Sequence, residues 1–150
     1  MPKLTQKHRD RLKKEDKEIL LGIDYGNKNL GIAFGRDGLV KPLKVLKAED
    51  MPALLHEITK FIFENKVTKI VVGLPLTYEG KDTQKSKEIR NFAKQIKVYL
   101  KKPVVFVNEY RSTEEILEGS SFGIPHRGKD PVDHLSAAVI LRRFYEEGIK

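Results

Sequence analysis

The sequence contains no cysteine, which excludes a disulfide framework and any thiolate metal site. No apolar run approaches the roughly 20 residues needed to span a bilayer, so no membrane partner is expected. The N-terminal stretch MPKLTQKHRDRLKKEDKE carries charge but lacks the apolar segment of a secretory signal. Together these absences predict a cytoplasmic protein. Internal repeats and low-complexity linkers are also lacking. The 150 residues suffice for one domain with a real core and are too few for two ordinary ones.

What the sequence does have is positive charge. Twenty-nine Lys and Arg against 21 Asp and Glu give a net charge of +8. Such a surface favours polyanions, nucleic acid ahead of an acidic membrane. Charged residues make up 33% of the chain, so part of this balance serves solubility alone. Residues 1–17 have few apolar positions and no sustained period, which predicts a flexible basic arm. Residues 18–150 form the single folded domain.

From Ile19 the pattern changes. Ile19-Leu20-Leu21-Gly22-Ile23 is a continuous apolar run, the signature of a strand buried on both faces. Leu30–Phe34 and Val40–Leu46 follow as strands on short links, suggesting an antiparallel meander. Asp50 and Pro52 open a helix with Leu55, Ile58 and Ile62 on its apolar stripe. Lys69–Leu74 is a buried strand, and Thr83 to about Lys101 a helix. Val104–Val107 is a last buried strand. A capping box at Ser112–Glu115 predicts a short helix, and Asp130-Pro131 predicts the start of a final one. The order β-β-β-α-β-α-β-α-α gives an α/β fold: a mixed five-stranded sheet with helices on its faces.

Three carboxylates occupy telling places. Asp24 ends the first buried strand, where a charge is costly unless it is paired or coordinates something. An aspartate bonding its own turn is the alternative. Glu109 ends the last buried strand, and ligand sites in open α/β sheets gather outside the carboxyl ends of strands. The two acids would meet there if their strands are parallel neighbours, although a solvated strand end would explain Glu109 by itself. Asp133 lies one turn inside the last helix, where it also suits the helix dipole. Ala137 and Ala138 beyond it would let that helix sit close on the sheet.

Converging carboxylates repel each other unless a cation joins them, and an all-oxygen set favours Mg²⁺ or Mn²⁺. Two such ions suit phosphodiester hydrolysis. Histidine competes poorly as a ligand. His8 is in the arm, His56 is on a helix, and His134 points about 100° round its helix from Asp133. His126, in a loop, could touch phosphate. Lys28, Arg111, Arg127 and Lys129 stand beside the three acids in sequence, as phosphate contacts would require.

Three blocks resemble the YqgF/RuvX family of the ribonuclease H-like superfamily. Residues 22–33, GIDYGNKNLGIA, are similar to its first-strand motif, and residues 72–80, VGLPLTYEG, to its Val-Gly-Leu-Pro-Leu segment. NEYRST at 108–113 with GKDPVDHLSAA at 128–138 resembles its Asp-Glu-Arg and Lys-x-Asp blocks. Asn27 stands where the family usually has Thr. Tyr110 replaces the usual Arg, with Arg111 one residue later. One extra residue separates Lys129 from Asp133. The resemblance implies a ribonuclease H-like fold with strand order 3-2-1-4-5 and strand 2 antiparallel. It implies a metal-dependent nuclease maturing the ends of pre-16S ribosomal RNA, with Asp24, Glu109 and Asp133 in the acidic positions.

Three other functions compete. A Holliday junction resolvase would cut four-way DNA with the same site. A non-catalytic nucleic-acid or ribosome-binding module would use the basic arm but has no need for three converging acids. A sugar-kinase or actin-like fragment also begins with Asp-x-Gly after a strand, but it needs a second similar half. The acids are expected within about 10 Å of each other, in a monomer or a homodimer.

Overall fold

The computed structural model describes residues 5–7, 18–109 and 133–148. Most of the arm expected at 1–17, the short helix expected from Ser112 and the cap expected at Asp130 lie outside the described residues.

Five strands form one sheet: β1 (Ile19–Tyr25), β2 (Asn29–Arg36), β3 (Leu39–Lys47), β4 (Lys69–Leu74) and β5 (Val104–Asn108). Their spatial order is β3-β2-β1-β4-β5. β2 runs antiparallel to both β1 and β3, whereas β4 is parallel to β1 and to β5. The predicted mixed sheet and its order are therefore present. The first three strands each extend a residue or more beyond their apolar runs. At the β2–β3 turn, Asp37 and Gly38 both have positive φ, 54° and 81°, the backbone that a two-residue hairpin turn demands.

Helix α1 (Met51–Asn65) and helix α2 (Gln84–Leu100) lie on one face of the sheet, and helix α3 (Asp133–Gly148) lies on the other. Asp50 caps α1 as expected, its side chain accepting from the Ala53 N–H. Thr83 caps α2 in a capping box closed by Ser86. The Arg90 guanidinium and the Ser86 hydroxyl both reach Asp82 and hold its carboxyl below the usual range. That contact pins the α2 entrance.

Alternation along β1 sorts its side chains between the two layers. Ile19, Leu21 and Ile23 pack under α1 and α2, while Leu20 packs under α3 with Ala137, Ala138, Ile140 and Leu141. Gly22 shares the α3 side, and a Cβ there would lie 2.6 Å from Leu141 Cγ and 3.0 Å from the Ala137 carbonyl oxygen. Small residues on both partners let α3 sit close on the sheet. Its direction follows from its contacts. Gly22 faces Ala137 and Leu141, whereas Gly35, paired with Leu20, faces Leu141 and Tyr145. α3 thus runs antiparallel to β1, and its first turn lies at the end where β1 terminates in Asp24 and Tyr25.

Candidate active site

The period of two places Asp24 in line with Leu20 and Gly22, on the α3 side of the sheet. The same count on β5 puts Glu109 in line with Val105 and Val107, both packed against α3. Both acids stand at the carboxyl ends of parallel strands. Their strands are not neighbours, however, because β4 runs between them. Strand axes two apart are separated by roughly 10 Å. Gly73 of β4 fills the place between, and a Cβ on it would lie 2.8 Å from Glu109 Oε2 and 2.4 Å from Ile140 Cδ1. The missing side chain is what lets the Glu109 carboxyl lie over β4. The Glu109 N–H donates to the Leu74 carbonyl at 2.9 Å, which fixes the residue to the end of β4.

Across that gap the two carboxyls are joined by a hydrogen bond. Burial of Glu109, reinforced by the adjacent Asp24 charge and by that hydrogen bond, pushes its carboxyl up from 4.5 to about 8. Glu109 is therefore much less acidic than an ordinary glutamate. Two cations pull the other way without prevailing, Lys85 from α2 and Arg143 from α3. Two carboxyls held so close resist ionising together unless a cation joins them.

Lys85 and Arg143 both act on the Glu109 carboxyl, and sequence reasoning missed them. Lys85 lies in the first turn of α2, and its Nζ donates to Asn27 Oδ1 at 2.8 Å and sits 5.6 Å from the Tyr25 ring centroid. Tyr25 in turn stacks on Phe92, with centroids 4.4 Å apart. Asn27 thus ties the β1–β2 turn to the α2 entrance and holds the ammonium near the acids. Arg143 donates from Nη1 to the Asn108 carbonyl at 3.2 Å, beside the Glu109 backbone. The sequence sign of Arg143 is a pair of arginines directly after the apolar run Ala137–Leu141.

Of the residues expected from sequence, Asp24 and Glu109 are brought together. Asp133 opens α3 at the same end of the sheet, but its side chain lies outside the described residues. Lys28 is exposed at the β1–β2 turn. Arg111, Arg127 and Lys129 lie outside the described residues.

The chain is similar to known proteins over most of its length. A family model described as "RuvX: Holliday junction resolvase" matches residues 18–147. A Synechococcus protein named "Putative pre-16S rRNA nuclease" is 33% identical over 132 residues, covering 85% of this chain and 82% of that protein. A Klebsiella pneumoniae protein of the same name is 34% identical over 131 residues, covering 85% of this chain and 95% of the relative. Among solved structures, RuvC of T. thermophilus in complex with a Holliday junction substrate superposes with a TM-score of 0.57 at 12% identity. It covers 87% of this chain and 96% of that one. Fowlpox virus resolvase with Holliday junction DNA gives 0.52 at 14% identity, covering 87% and 98%. These two likenesses show the ribonuclease H-like fold. With the strand order, the family match and the two relatives in agreement, this chain belongs to the RuvX family.

Proposed function

We propose that this protein is a nuclease that hydrolyses phosphodiester bonds and matures the ends of pre-16S ribosomal RNA in the cytoplasm, with Asp24, Glu109 and Asp133 holding Mg²⁺ or Mn²⁺. The observation that carries this reading is the contact between Asp24 and Glu109 across the bare backbone of Gly73. Nothing in the packing of the sheet requires two acids to meet there, and their meeting raises the pKa of one of them at a cost in stability. Oxygen-only ligands of this kind fit a hard divalent cation. Such an ion, when bound, supplies charge stabilisation and an activated water for phosphodiester hydrolysis.

The chain's own residues account for the rest. Glu109 must release its proton before both carboxylates can serve as ligands, so ion binding is linked to proton release. Arg143 and Lys85 favour the ionised form of Glu109. Lys85, oriented by Asn27, is the cation best placed among the described residues to receive a phosphate flanking the scissile bond. Lys28, Arg111, Arg127 and Lys129 would add further phosphate contacts. The pre-16S substrate is supported by the names of the relatives. The description of the family favours a second reading, a resolvase acting on four-way DNA. A binding module without catalysis has no use for the acid pair.

The deciding assay compares cleavage of a pre-16S precursor and of a four-way DNA junction, each with Mg²⁺, with Mn²⁺ and with chelator. Metal-dependent cutting of the precursor is expected, and it should be lost in Asp24→Asn while nucleic-acid binding survives. Cutting of the junction alone would select the resolvase. An Asp24→Asn protein that cuts like the wild type would overturn the site.

A further inference from the structure

The end of the sheet away from the acids carries a second basic surface. α1 and α2 both finish there, closed by Lys66 and Lys101, each with φ 55°. This left-handed backbone favours glycine, which helices commonly use at this position. Both helix ends here carry an ammonium group instead, against the local preference.

A groove of about 570 Å³ opens between these ends. Phe63 and Tyr99 line it together with Lys66 and Lys102, over a floor that includes Val67 and Leu100. No acidic side chain lines it among the described residues. Phe63 is 85% exposed and Tyr99 58%, so neither ring owes its place to the core. Exposed rings flanked by cations are the elements with which proteins hold unpaired nucleotides: bases stack on the rings and phosphates pair with the ammonium groups. A symmetric dimer through this groove would instead bring the same lysines of two copies together.

We propose that this groove is a binding site for single-stranded nucleic acid, stacking unpaired bases on Phe63 and Tyr99 and holding their phosphates with Lys66 and Lys102. This deepens, and rests on, the reading of the chain as a nuclease. The groove lies on the α1–α2 side at the start of β4 and the acids on the α3 side at its end, at least roughly 20 Å away at about 3.3 Å per residue. A substrate therefore engages both only when an unpaired strand extends away from the cut.

The test is fluorescence anisotropy of the full chain with a short labelled single-stranded oligoribonucleotide, in chelator so that nothing is cut. Phe63→Ala with Tyr99→Ala should weaken binding at least about fivefold, while Tyr99→Phe, which keeps the ring, should bind like the wild type. Lys66→Gly should raise the melting temperature by relieving the left-handed backbone, yet bind more weakly and lower the log-log salt slope by about 0.7. Unchanged affinity in the alanine pair would overturn the proposal. So would a wild-type dimer that the alanine pair converts to monomer with affinity intact. Asp24→Asn should bind this oligonucleotide normally. If the wild type cuts nothing with Mg²⁺ or Mn²⁺ but the groove variants still lose affinity, the nuclease reading fails and the groove stands. If cutting is intact and the groove variants bind normally, the groove alone fails.

Discussion

Replacing Glu109 by glutamine should stabilise the metal-free protein while destroying its activity, and the size of the gain should depend on pH. In the folded chain the Glu109 carboxyl titrates at about 8 instead of 4.5. Between those values the folded protein keeps a proton that the unfolded chain has released, so stability falls as pH rises through that window. Each pH unit costs about 1.4 kcal/mol, giving a deficit of roughly 3 kcal/mol at pH 7 that levels off above pH 8. Glutamine is neutral at every pH, and its amide can still donate to Asp24, so the variant escapes that decline. For a chain of this length 1 kcal/mol moves the melting temperature by roughly 2–4 °C. Calorimetry in chelator should thus show equal melting near pH 4.5 and a variant more stable by roughly 6–12 °C at pH 7. Added Mg²⁺ should narrow the gap by stabilising the wild type alone. A variant that melts with the wild type at every pH, or below it at pH 8, would show that the two carboxyls do not share a buried proton.

Three further outcomes follow from the same geometry. Lys85→Gln should weaken nucleic-acid binding and lower its log-log salt slope by roughly 0.7 to 0.9, with the turnover of bound substrate less affected; an unchanged slope would remove Lys85 from the phosphate contacts. Gly73→Ala, whose Cβ would meet Ile140 and Glu109, should cost about 1–3 kcal/mol in urea denaturation and impair cleavage, whereas a neutral variant would show that the acids do not need the bare backbone between them. Deleting residues 2–17 should flatten the salt dependence of binding and leave cleavage at saturating enzyme nearly unchanged, because no proposed ligand lies there; a truncated chain that unfolds would make the arm part of the domain.

The strands that form the core were legible because their signal is local. Ile19–Ile23 and Ile70–Val72 are apolar without interruption, which is what burial on both faces requires. Val104–Val107 reads the same way, but it is the edge strand, with Phe106 39% exposed and only Val107 buried, so the expectation of a buried strand there is corrected. The acids were legible for a related reason, since Asp24 and Glu109 are the first charges at the ends of two such runs. What periodicity could not say is which strand lies between which. Periodicity leaves open whether the strands that carry Asp24 and Glu109 are neighbours, and the sheet brings the two acids together with β4 between them, by leaving Gly73 bare beneath Glu109. Lys85 was invisible for the same reason. It is 58 residues from Asn27, and nothing in the helix pattern of α2 says which of its several lysines turns toward the end of β1. Asn27, noted as a departure from the family's usual Thr, proves to be the residue that holds that lysine.

The seating of α3 has a consequence for the acid end of the sheet. The helix sits close because Gly22 faces Ala137 and Leu141 and Gly35 faces Leu141 and Tyr145, while Glu109 is fixed by its bond to Leu74. Glycines in the middle of two strands therefore set how near the first turn of α3 stands to the end of β1. A side chain added at either one would lift the helix and reshape the acid end without touching an acid.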